Sequence, residues 1–169
     1  MNRGILGILS ALCALGLGAY AHADQRAQPL HVRADSIQMD QRTGVSLYKG
    51  HVRLVQGDLT IHAAQVRVHS RHGHALSIQA VGNPLRLVDT IPGGVPIFGE
   101  AKTLHFEATS DKITLTNQVV FRQGTTVLHG HIVYYSVHLQ RVTAIGDPHS
   151  RVRARITPHD ITHKPKAQP

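Results

Sequence analysis

ADSIQMDQRTGVSLYKGHVRLVQGDLTIHAAQVRV (residues 34–68) and AKTLHFEATSDKITLTNQVVFRQGTTVLHGHIVYY (residues 101–135) are one pattern written twice. They align without a gap at an offset of 67 residues, 101 minus 34. Ala34 falls on Ala101, Ile37 on Leu104, Met39 on Phe106 and Tyr48 on Leu115. Further on, Val52 falls on Val119, Leu54 on Phe121, Gln56-Gly57 on Gln123-Gly124, Ile61 on Leu128 and Val66 on Val133. The apolar positions repeat while the polar ones drift. A repeated packing pattern behaves this way; a repeated catalytic site does not.

Inside each copy the apolar residues alternate. Val52 with Leu54, Leu59 with Ile61, Val66 with Val68, and Leu104 with Phe106 and Ala108 each share a parity. Side chains two apart on a strand share a face, so each run offers one apolar face. Turn residues punctuate at short intervals: Arg42-Thr43-Gly44, Lys49-Gly50, Gln56-Gly57-Asp58, Gly82-Asn83-Pro84, Pro92-Gly93-Gly94, Ser110-Asp111 and Gly146-Asp147-Pro148. No segment after the N-terminus sustains a helical apolar period. Short strands with regular turns and no crossover helices predict an all-β antiparallel fold: a sandwich, barrel or jelly roll.

Residues 1–23 read as a secretory signal peptide. Arg3 gives the positive end, Ile5 to Leu17 the apolar run, and Ala21-His22-Ala23 the cleavage motif, leaving Asp24 first. The apolar run is too short and glycine-rich for a good membrane span. Cys13, the chain's one cysteine, lies inside it, so the mature chain uses neither disulfides nor thiol chemistry. Residues 24–156 are expected to form the β domain. Residues 157–169, TPHDITHKPKAQP, are polar and proline-interrupted and read as a flexible tail.

Charge and side-chain chemistry narrow the function. Without Arg3 the 18 basic residues become 17 against 10 acidic ones, a net charge of +7. An exported basic protein meets phosphate-bearing lipids, surface polyanions or acidic proteins rather than nucleic acid. Glutamate occurs only at Glu100 and Glu107, and no hydrolase, zinc-protease or dinucleotide motif is present, so no enzyme or cofactor is expected. Gly94 to Gly99 has the glycine spacing of a phosphate loop, but Glu100 follows where lysine is needed, and the segment reads as a hairpin loop. Histidine is plentiful: 13 of 14 remain once His22 is removed. His69, His72 and His74, with His129 and His131, leave a His-rich periplasmic metal-binding carrier as the alternative reading. No cysteine or carboxylate completes a shell beside them, so no metal site is assigned.

Three motifs carry a resemblance. They are Gln28-Pro29-Leu30-His31-Val32-Arg33-Ala34-Asp35, then Tyr48-Lys49-Gly50-His51-Val52-Arg53-Leu54-Val55-Gln56-Gly57, then Gly99-Glu100-Ala101 followed by Leu104-His105-Phe106. In order and spacing the chain resembles the OstA-like family over roughly residues 30–144. It departs where the family has an acidic residue before the last strand of each repeat; Ala64 and His131 stand there. The resemblance implies an open antiparallel β-jelly roll of two similar halves in the Gram-negative periplasm, its apolar interior holding the acyl chains of lipopolysaccharide. It implies head-to-tail self-association, and docking to related domains of inner-membrane (LptC-like) and outer-membrane (LptD-like) transport proteins. Leu30, Val32, Leu87, Phe106 and Ala108 fall at the positions that face acyl chains. Arg33, Arg53, Arg67, Lys102 and Arg122 are candidates to meet lipid phosphates at the rim. The edge strands are expected near residues 30–33 and 141–145, and neither holds a proline.

Overall fold

The computed structural model describes residues 28–91, 94–136, 139–149 and 151–157. The expected signal peptide and nearly all of the expected tail lie outside the described residues. The described residues form ten strands and no helix: β1 (His31–Arg33), β2 (Ser36–Asp40), β3 (Val45–Gln56), β4 (Leu59–Arg71), β5 (His74–Ile91), β6 (Val95–Glu107), β7 (Lys112–Gln123), β8 (Thr126–Ser136), β9 (Arg141–Ile145) and β10 (Arg153–Ile156). They make one sheet, ordered β1-β3-β4-β5-β6-β7-β8-β10, with β2 also on β3 and β9 also on β8. Every pairing is antiparallel.

The sheet is creased. The register shifts between Lys49 and Val52 on β3, His62 and Gln65 on β4, and Val81 and Leu85 on β5. It shifts again between Glu100 and Thr103 on β6 and between Thr116 and Val119 on β7. Bulges bend and twist a strand. Here they line up across neighbouring strands and divide the sheet into two arms. The first arm ends on β1 and β10, the second on β2 and β9.

The arms fold toward each other. Phe121 belongs to the first arm and Tyr135 to the second, yet their ring centroids are 5.7 Å apart. The core lies between them. Val52, Leu54, Ile61, Leu85, Leu87 and Phe121 come from the first arm; Val66, Ile78, Leu104, Leu115, Val133 and Tyr135 come from the second; all are buried. Burying each large aliphatic or aromatic side chain contributes about 1.5–3 kcal/mol. The architecture is an open antiparallel β-jelly roll, open because β1 and β10 end the strand path and do not pair with each other.

The sequence repeat is also a backbone repeat. Left-handed φ values recur at the same offset of 67: Gly44 (70°) and Asp111 (50°), Gly50 (76°) and Asn117 (67°), His51 (44°) and Gln118 (56°), Gly57 (58°) and Gly124 (55°). The middle two pairs are the crease in β3 and its copy in β7.

Two expectations are corrected. Lys49-Gly50 and Gly82-Asn83-Pro84 are not turns; they lie within β3 and β5, at the crease. The segment 94–99 is not a hairpin loop; from Val95 onward it is the first half of β6, paired with β5. A bulge and a turn ask for the same residues, so local sequence reads them alike. The strands are also longer than the turn spacing suggested, β5 reaching 18 residues.

Candidate functional site

Strand register places the inner side chains in rows that cross the sheet. In the first arm one row runs Val32, Leu54, Ile61, Leu87, Gly99, Phe121, Leu128, Ala154. In the second arm another runs Met39, Ser46, Val68, Ile78, Phe106, Ile113, Tyr135, Val142. Directly opposed residues on neighbouring strands share a face, so both rows look into the space between the arms. Apart from Ser46 and the Tyr135 hydroxyl, both rows are apolar along their length.

The rows are packed in the middle and open at the ends. Leu54, Leu87 and Phe121 are 0–1% exposed. On β2, at one edge, Ile37 and Met39 are 53% and 63% exposed; on β10, at the other, Ile156 is 70% exposed. A closed core would bury these residues. Here the apolar interior surfaces at both edges of the sheet.

Of the expected lipid-facing residues, Leu87 and Phe106 lie within the core, while Leu30, Val32 and Ala108 are half-buried against it. Leu30, Val32 and Leu87 belong to the first arm. Phe106 closes the second-arm face of β6, and Ala108 follows, its N–H bonded to the Leu76 carbonyl at 2.9 Å. The set therefore spans both arms. Sequence reasoning did not single out Ile37, Met39 and Ile156 as edge residues of this interior. It also missed β10, although Val152, Ala154 and Ile156 alternate with three arginines.

The five cations all stand on the outer face. Arg33, Arg53, Arg67, Lys102 and Arg122 are exposed and fall between inward positions on their strands. Arg33 and Arg53 are directly opposed. Arg33 is on an edge strand; the other four are on internal strands. Arg122 lies over the Phe98 ring, 5.2 Å from its centroid. Two shallow depressions also sit on the outside of the crease. One, of ≈ 270 Å³, is lined by His51, Val52, His62, Ala63, Pro84 and Arg86; the other, of ≈ 410 Å³, by Lys102, Asn117, Gln118, Gly130, His131 and Asp147. Both mix charged and imidazole side chains with apolar surface, and both lie outside the space between the arms.

The histidines scatter. His69 is on β4, His72 in the β4–β5 turn and His74 at the start of β5, while His129 and His131 flank Gly130 on β8. His51 meets Asp35 at 2.8 Å and His131 meets Asp147 at 3.5 Å, each a single pair. Among the described residues no three His, Cys, Asp or Glu side chains gather as a metal site would require.

Comparison with known proteins follows the same lines. Residues 31–141 match the family described as "LptA/(LptD N-terminal domain) LPS transport protein". The lipopolysaccharide export system protein LptA of Haemophilus influenzae is 26% identical over 156 residues, covering 90% of this chain and 91% of that protein. LptA of Escherichia coli K12 is 27% identical over 161 residues, covering 94% and 87%. The crystal structure of LptH, described as the LptA homologous periplasmic component of the lipopolysaccharide transport device of Pseudomonas aeruginosa, superposes with a TM-score of 0.72. That match covers 79% of this chain and 99% of LptH at 24% identity.

Proposed function

The chain belongs to the LptA/(LptD N-terminal domain) LPS transport protein family, and on that premise we propose that it binds lipopolysaccharide in the periplasm and passes it between membranes. The observation that carries this reading is the apolar interior that reaches the surface at both edges. Acyl chains enter at the exposed Ile37, Met39 and Ile156 and spread the arms over Leu30, Val32, Leu87, Phe106 and Ala108. Each buried methylene contributes about 0.8 kcal/mol. The lipid's phosphates stay outside, where Arg33 on β1 is the nearest of the candidate cations to the opening. The protein acts as a carrier and not as an enzyme. Residues 1–23 are removed on export, and the β domain of residues 24–156 is the working unit.

The same two edges carry the assembly. Strand ends with unpaired N–H and C=O groups accept another strand. We infer that β9 and β10 of one copy pair with β2 and β1 of the next, a heterologous contact that grows open filaments. Related domains of LptC-like and LptD-like proteins cap the two ends by the same pairing. Lipid-extraction mass spectrometry of protein purified from its native envelope tests the central reading. Lipopolysaccharide should be recovered in stoichiometric amount. Protein that emerges lipid-free, and fails to take up added lipopolysaccharide, would refute it.

A further inference from the structure

Beyond Arg33, which stands near the opening, the outer face of the first arm has a charge pattern that interior lipid binding does not explain. Arg33, Arg53, His62 and Arg86 are consecutive partners across β1, β3, β4 and β5. The row continues through Glu100 and Val120 to His129 and Arg153. All six basic members are exposed. Glu100, the row's one acid, is occupied by Arg86 at 2.9 Å. Seven interstrand steps of about 4.8 Å make the row about 34 Å wide. Two residues further along the strands, Arg122 and Arg155 belong to the next row. The outward strand positions of this arm thus carry six arginines (Arg33, Arg53, Arg86, Arg122, Arg153, Arg155) against the single acid Glu100, with Asp58 in the β3–β4 turn and Asp35, paired with His51 at 2.8 Å, at the margins. Acids of the second arm and its turns include Asp40, Glu107 and Asp111.

We propose that this face docks on the surface of an anionic phospholipid bilayer. A broad row suits a planar array of phosphates, whereas a single small anion needs a closed pocket. The cations are arginines, whose guanidinium forks bind phosphate oxygens in pairs. The second row adds apolar contact at headgroup depth: Val88 is 42% exposed, beside a partly exposed Phe98. A soluble acidic protein would find the charges but would leave these apolar side chains without a use. In a filament built as proposed above, the row of one copy continues into that of the next. The docking itself needs neither the filament nor a lipid in the interior.

Vesicle co-sedimentation tests the proposal, using the mature chain and lipid that contains no lipopolysaccharide. Wild type should bind vesicles containing phosphatidylglycerol and ignore pure phosphatidylcholine. Each arginine near an anionic surface is worth about fivefold in partitioning. Arg53→Gln with Arg153→Gln should therefore lower it about 25-fold, while Arg53→Lys with Arg153→Lys retains most of it. Lys49→Gln with Lys112→Gln, on the second arm, should bind as wild type does. Equal loss in the two Gln pairs would reduce the effect to net charge and overturn the proposal. So would wild type that binds both vesicle types alike, or that binds a soluble polyanion such as dextran sulfate but no vesicle. Because the probe lacks lipopolysaccharide, failure here leaves interior binding standing.

Discussion

Gly99 holds the two arms close together. It sits in the first-arm inner row between Leu87 and Phe121. A Cβ built there comes within 2.9 Å of Leu115 Cδ1, from the opposite arm, and 3.7 Å of Leu87 Cβ. The end of a leucine side chain can retreat slightly, so Gly99→Ala should be nearly neutral. Gly99→Val overpacks the site and should cost about 1–3 kcal/mol, read as a shift in the urea midpoint with an unchanged slope. Asp40 governs a local, pH-dependent contact. Its Oδ1 accepts the Arg42 N–H at 2.9 Å and the Thr43 N–H at 3.2 Å. Hydrogen bonding from Thr43, side chain first and then backbone, with a smaller share from Arg42, holds its carboxyl below the usual 3.8. A depressed carboxylate stabilises the fold above its unfolded pKa, and that contribution disappears as pH falls through the folded value. Hydrogen exchange at Arg42 and Thr43 should therefore gain opening only in acid. Asp40→Asn, which keeps the acceptor without the charge, should flatten that dependence.

At the scale of elements, each edge of the sheet is two strands. The sequence places β1 and β9 correctly, because their alternation is plain. It misses β10, because arginines mask an equally regular alternation of Val152, Ala154 and Ile156. The consequence for assembly is direct. A proline at Ala144 weakens the second-arm edge on β9 and leaves β10 able to pair. Ala144→Pro should therefore shorten the filaments, and only Ala144→Pro with Ala154→Pro should yield a monomer. Sedimentation velocity over a concentration series reads the difference; a wild type that is monomeric throughout would remove the edge-pairing account. The crease was illegible for another reason. Gly50-His51, Gly82-Asn83-Pro84 and Asn117-Gln118 carry the residues of turns, and only pairing on both sides shows that the strand continues past them. The repeat did contain the clue, since Gly50-His51 and Asn117-Gln118 occupy equivalent positions.

For the whole molecule, periodicity made the all-β class and the apolar face legible. The meeting of the arms was not, because the Phe121–Tyr135 contact joins residues that local pattern treats as independent. The cations were found by residue type, but their side of the sheet was set by register. This separates two salt responses. Vesicle docking should fall steeply as ionic strength rises, since exposed charges are screened over about 8–10 Å at physiological salt. Lipopolysaccharide capture, driven by buried methylenes, should fall far less. A titration of both between low and high salt checks the separation; parallel losses would mean that one surface serves both ligands.

The central claim is that lipid lies between the arms, and strand β6 offers a matched pair of probes. Phe106 faces inward and is 8% exposed. Phe98, on the same strand, faces outward beneath Arg122. A photoreactive benzoylphenylalanine placed at each position in turn preserves the residue class. Irradiation with bound lipopolysaccharide should crosslink the lipid at position 106 and leave position 98 unlabelled. Equal labelling at the two positions, or labelling at 98 alone, would contradict the account.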